Sequence, residues 1–252
     1  MRRYVMAVAD RVSRVFGPDV VGTYTTGSLA LGDFRAGRSD VDLMTVIDGD
    51  DHRDDCLDLA AILDHSRLPC PAAGLELVVY ARSTVTTPTT DAGYLLNLNT
   101  GAELPPVVSV DPASTSAFWF AIDRAITWQS GEAVRGPAPR HLFRPPDRHA
   151  LLPIVVSAVE AQRPNGGDLL DSMVLNACRA LLYAENWHWY SKVEAGRRVA
   201  VASEQFAPLI HAAIATHERG RRAAKELPAE DVRTFLDHMS EALRRASVKE
   251  GR

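Results

Sequence analysis

A cluster of prolines just past the middle of the chain sets the strongest limit on its fold. Pro137, Pro139, Pro145 and Pro146 fall within residues 136–146. Proline fixes φ and removes a backbone donor, so neither a long helix nor a central strand runs through such a stretch. The sequence differs in kind on its two sides. Before it, short β-branched runs alternate with helical patterns. After it, residues 148–162, 168–186, 190–203, 205–219 and 228–248 carry helical spacing and almost no strand signal. The expected fold is α+β: an N-terminal α/β domain with a mixed sheet over residues 1–145, followed by an all-helical bundle over residues 146–252.

The N-terminal part reads element by element. Val5, Val8, Val12, Val15 and Phe16 share one helical face over residues 4–16, which ends at Gly17-Pro18. Residues 20–25 form a β-branched run leading into Gly27-Ser28. A polar loop holding Gly32 and Gly37 follows, then a second strand over 40–47 closed by the turn signal Asp48-Gly49. Asp50, Asp51, Asp54 and Asp55 suit the start of a helix, where carboxylates meet the positive end of the helix dipole; Leu57, Ala60, Ala61 and Leu63 continue it. A third strand spans 75–80. Residues 83–112, rich in Thr and Pro, read as irregular loops over a sheet edge, with room for a strand at 105–110. Residues 115–128 read as a helix.

Composition narrows the class of partner. With 46% hydrophobic and 24% charged residues, 252 residues can bury ordinary cores, and disorder is not indicated. A net charge of −4 argues against a nucleic-acid partner, which calls for a basic excess. Cys56, Cys70 and Cys178 lack metal-binding or redox spacing and are expected as reduced thiols. The histidines show no zinc-ligand spacing. The N-terminus lacks a sustained apolar run after its arginines, and no stretch approaches the roughly 18 apolar residues of a membrane span. The expectation is a cytoplasmic, monomeric protein with no membrane partner.

Chemistry concentrates in Gly27-Ser28, Asp40-Val41-Asp42 and Glu76. Strand side chains alternate, so Asp40 and Asp42 point one way and Val41 and Leu43 the other. Adjacent carboxylates repel, and a partly buried pair calls for a cation. Glu76 interrupts an apolar strand and shares a face with Val78 and Tyr80. If the two strands are neighbours, Asp40, Asp42 and Glu76 converge into a hard-oxygen site suited to Mg²⁺. Taken singly, an Asp-x-Asp or a strand-end Glu is most often a solvated edge; the combination is rare.

This pattern resembles the nucleotidyltransferase superfamily that includes DNA polymerase β. Residues 20–80 and 118–220 look like the aminoglycoside 3''/9-adenylyltransferases, which pair a nucleotidyltransferase domain with a helical bundle. The resemblance implies ATP as co-substrate and Mg²⁺ on Asp40, Asp42 and Glu76, with Glu76 also the catalytic base. It implies triphosphate contacts from Gly27, Ser28 and Ser39. Met173-Val174-Leu175-Asn176-Ala177-Cys178-Arg179 is similar to the family helix whose arginine contacts the nucleotide, and Tyr190-Ser191-Lys192-Val193 to the segment with the ATP-binding lysine. His217 stands at the place of a nucleotide-stacking tyrosine. Acceptor contacts fall on Glu76, Glu103, Asp168 and Asp171, while the family tryptophan that packs on streptomycin has no counterpart after Gly101-Ala102-Glu103-Leu104.

The implied reaction is transfer of AMP to a hydroxyl of an aminoglycoside or aminocyclitol, with release of pyrophosphate. The alternatives are another small hydroxylated acceptor, a protein or tRNA acceptor, and a non-catalytic nucleotide- or drug-binding module. The aromatic run Trp187-His188-Trp189-Tyr190 reads as inter-helix packing.

Overall fold

The computed structural model describes residues 1–164, 169–221 and 227–250, except for the side chains of 248–250. The chain forms two compact units, Met1–Pro146 and Asp147–Arg252.

In the first unit, α1 (Arg2–Phe16) leads to β1 (Val20–Thr25), the short α2 (Gly27–Ala30) and β2 (Val41–Ile47). Then come α3 (Arg53–Leu63), β3 (Leu75–Ala81), α4 (Arg82–Thr86), β4 (Tyr94–Thr100) and β5 (Val107–Ser109). The unit closes with α5 (Phe118–Ser130), β6 (Ala133–Arg135) and α6 (Pro139–Leu142). The strands make one sheet in the order β5-β4-β3-β2-β1-β6. Only the β2–β3 pairing is parallel, so the sheet is mixed. A parallel neighbour needs a crossover, and α3 supplies it.

Alternation along the strands splits the burial between two faces. Val41, Leu43, Leu75, Leu77, Val79, Leu96 and Leu98 pack with Val5, Val8 and Val12 of α1 and Leu59 and Leu63 of α3. The opposite face carries Tyr24, Met44, Val46 and Tyr80, which pack with Phe120, Leu142 and Phe143. Asp42 and Glu76 share this second face, by their spacing from Met44 and Tyr80.

Residues 83–112 depart from expectation. β5 falls inside the strand allowed at 105–110, but α4 and β4 stand where loops were expected. The run Leu95-Leu96-Asn97-Leu98-Asn99 hides a strand from propensity, because asparagine is depleted in strands; pairing along β3 forms it nonetheless. The short β6 is likewise built by pairing with β1.

Arg124 on α5 anchors this region. Only 3% exposed, it donates to the carbonyls of Ala92 at 3.0 Å, Thr89 at 2.9 Å and Asp91 at 2.7 Å. Its guanidinium lies 5.2 Å from the Tyr80 ring centroid. Replacing it strands three carbonyls and removes charge-assisted bonds. Arg124→Met is expected to lower unfolding free energy by about 2–4 kcal/mol, read as a reduced denaturation midpoint. A midpoint within error of the parent would show that the loop holds without it.

The second unit is helical throughout its described residues: α7 (Arg148–Glu160), α8 (Leu170–Asn186), α9 (Lys192–Ala202), α10 (Ala207–Arg219) and α11 (Ala229–Glu250). Asp147 caps α7 by accepting from the His149 and Ala150 N–H groups, both at 2.9 Å. These bonds hold its carboxyl below the usual range. The central α8 packs against the other four helices. A Cβ on Gly196 would press on Leu175 and Ile214, so α9 sits close to both α8 and α10. Val232, Phe235, Leu236, Met239 and Leu243 form the buried stripe of α11 at helical spacing.

Trp187 ends α8 in the left-handed region at φ 55°, a place usually taken by glycine. Its ring lies among Tyr183, His149 and Arg148. The aromatic run is thus engaged in packing within this unit. No helix among the described residues is long and apolar enough to cross a membrane.

Candidate active site

The site is built where β1, β2, β3 and β4 meet at one end of the sheet. Parallel register puts Asp42 opposite Glu76. Adjacent strands lie about 4.8 Å apart, so the two side chains stand next to each other on one face. Asp40 precedes β2 by one residue. Its charge adds to burial, the larger cause, in raising the Cys70 thiol.

The turn after β1 is shaped around Asp42. Thr26 N–H donates to the Asp42 carbonyl at 3.1 Å, and Ser28 N–H to its carboxylate at 3.4 Å. Gly27 adopts φ +53°, and a Cβ there would overlap the Asp42 carboxylate. Glycine is thus required twice, by conformation and by space. The Ser28 hydroxyl is buried with no hydrogen-bond partner among the described residues. An unmet buried hydroxyl costs about 1–3 kcal/mol, which a bound anion would offset.

Ser39, also buried, accepts from Arg35 N–H at 3.0 Å. Its carbonyl accepts from Ala73 N–H at 3.3 Å, and Glu103 N–H donates to the Ala73 carbonyl at 3.0 Å. Ser39, Asp40 and Glu103 therefore gather around the Ala73-Gly74 turn, at the same end of the sheet as Asp42 and Glu76.

Among the described residues, no three His, Cys, Asp or Glu side chains are gathered closely enough to hold a metal ion. Asp42 and Glu76 are paired by register, and Asp40 immediately precedes β2. The hard-oxygen donors and the Gly27 turn packed on Asp42 still fit a divalent cation with its phosphate ligands. The nearby tyrosines serve as core groups. Burial pushes the Tyr24 and Tyr80 hydroxyls up to about 12, so neither acts as a base near neutrality.

The second unit holds the other expected residues. Lys192 opens α9 beside Ser191, whose side chain caps the helix by accepting from Glu194 N–H at 3.2 Å. Lys192 Nζ donates to Ser172 Oγ on α8 at 3.4 Å. Arg179 lies on α8 seven residues after Ser172, close to two helical turns, and hence on the same side. Its guanidinium is 5.9 Å from the Trp189 ring centroid, and Trp189 stacks on Tyr183 at 4.0 Å.

His217 and Asp171, expected as nucleotide and acceptor contacts, face each other. His217 Nδ1 lies 3.3 Å from Asp171 Oδ2, with side chains 7% and 3% exposed. This pair ties α8 to α10. Asp168 falls outside the described residues. The burial of Cys56 and Cys178 pushes their thiols up to about 12, as expected of inert packing thiols.

Two residues escape sequence reasoning. Asn99 is the register partner of Glu76 on the side away from Asp42, and Asn97 the partner of Val78. The strict Leu-Asn alternation of 96–99 is the signal that could have found them.

Residues 142–242 match the family model for the aminoglycoside adenylyltransferase C-terminal domain. Among solved structures the chain is similar to spectinomycin adenyltransferase AAD(9) from Enterococcus faecialis, determined with ATP and spectinomycin. The TM-score is 0.70 at 14% sequence identity, over 95% of this chain and 99% of that one. This likeness establishes the shared α+β fold. No curated protein matches the sequence.

Proposed function

We propose that the chain is a nucleotidyltransferase of the aminoglycoside adenylyltransferase kind, a reading supported by the match of residues 142–242, and that it transfers AMP from ATP to a hydroxyl of an aminocyclitol or aminoglycoside. The observation that carries this reading is the Asp42–Glu76 register pair beneath the Gly27-Ser28 turn. Two carboxylates on neighbouring strands divide the labour that phosphoryl-group transfer requires, charge neutralisation and proton removal. The resemblance to a fold solved with ATP and spectinomycin supports the choice of co-substrate and acceptor class.

Asp40 and Asp42 would hold Mg²⁺, which when bound neutralises phosphate charge. Gly27 lets the turn pack directly on Asp42, and Ser28 Oγ donates to a phosphate. Glu76 takes the proton of the acceptor hydroxyl as its oxygen bonds to the α-phosphorus. The bond to the bridging α–β oxygen breaks, and pyrophosphate leaves. Arg179 and Lys192 are the nucleotide contacts we assign to the second unit, with Ser39 and Glu103 placed at the edge of the carboxylate cluster.

Pyrophosphate release on mixing the protein with ATP, Mg²⁺ and spectinomycin or streptomycin tests the reading. Release dependent on the acceptor supports it. Tight drug binding without release would identify a binding module, and release only with tRNA or a protein acceptor would move the substrate class. Lys192→Ala is expected to raise the KM for ATP about tenfold, the equivalent of one charge-assisted hydrogen bond. An unchanged KM for ATP would remove Lys192 from the nucleotide site.

A further inference from the structure

The same sheet face carries an unassigned pair of polar side chains. Asp42, Glu76 and Asn99 lie in one row across β2, β3 and β4, and each step is one strand spacing, about 4.8 Å. Asn97 lies two residues back along β4 on the same face. Both asparagines are half-buried, between the fully buried Leu96, Leu98 and Thr100 that point the other way. Among the described residues neither carboxamide makes a side-chain hydrogen bond. Asparagine is disfavoured in strands. Two in succession on one face beside Glu76 are placed to hydrogen-bond a ligand.

The row has a direction. The Gly27-Ser28 turn packs on Asp42, and Asn99 stands on the other side of Glu76. We propose that Asn99, with Asn97 beside it, forms the acceptor-side subsite. Its carboxamide hydrogen-bonds a second polar group of the acceptor next to the hydroxyl that attacks. A carboxamide both donates and accepts, so it suits a neighbouring hydroxyl or amine. This inference rests on the adenylyl-transfer reading above.

The test compares the parent protein with Asn99→Val and Asn99→Ala; valine keeps strand propensity high while removing the polar group. Spectinomycin is titrated calorimetrically, and transfer is followed at varied spectinomycin and varied ATP. Both variants should raise the Kd and KM for spectinomycin about tenfold, the loss of one hydrogen bond to the acceptor. The KM for ATP and the melting temperature should hold, and Asn97→Ala should give a smaller rise. If the parent transfers AMP and a folded Asn99 variant keeps the parent Kd and KM for spectinomycin, this subsite is overturned and the reaction stands. A rise in the KM for ATP equal to that for spectinomycin would also overturn it. If the parent neither binds nor modifies any aminocyclitol, the reaction reading fails and the subsite falls with it.

Discussion

Glu76→Gln will lower adenylyl transfer by about 10²–10⁴-fold, the usual contribution of a positioned general base. The substitution preserves shape and hydrogen-bonding length but removes the proton acceptor. ATP binding should stay near the parent value, because the triphosphate contacts proposed here lie on the Gly27-Ser28 turn and on Arg179 and Lys192. Glu76 stands opposite Asp42 in the parallel register, so neutralising it relieves repulsion between two carboxylates. Single-turnover transfer and ATP titration separate the two effects. Undiminished turnover would remove Glu76 from the role of base.

Gly27→Ala will act by a different route and with comparable size. The new Cβ would overlap the Asp42 carboxylate, and the backbone would remain at φ +53°. The left-handed conformation costs a residue with a Cβ about 1–2 kcal/mol. To make room, either Asp42 or the turn carrying Ser28 must shift. Displacements near 1 Å at a reacting centre cost about 10²-fold in rate, so transfer should fall by at least that factor. The Mg²⁺ concentration needed for half-maximal activity should rise, because Asp42 is the displaced carboxylate. A variant with parent turnover and parent Mg²⁺ dependence would show that the close fit of the turn is unrelated to catalysis.

Local pattern made much of this fold legible. The β-branched run at 20–25 and the strands carrying Asp42 and Glu76 were readable because apolar alternation is a property of neighbouring residues. The five helical segments after the proline cluster were readable for the same reason. Strand adjacency was not, since pairing between residues 42 and 76 is settled by the whole sheet rather than by either segment. β4 escaped because Asn97 and Asn99 replaced the residues that usually announce a strand, and their half-burial beside Glu76 emerged only with the register. Nothing in the residues around Arg124 signals its role, yet three carbonyls enclose it. Asp171 and His217 lie 46 positions apart, and only the packing of α8 on α10 brings them together. Side-chain partnership across elements was the least readable layer, and it is the layer in which the proposed site is assembled.

Mass spectrometry of spectinomycin after incubation with the protein, ATP and Mg²⁺, run beside Glu76→Gln, tests the central claim most directly. The account predicts a product heavier than the drug by one adenylyl group, formed with stoichiometric pyrophosphate by the parent and nearly absent with the variant. An unmodified drug across an aminocyclitol and aminoglycoside panel, or a product formed equally well by Glu76→Gln, would contradict it.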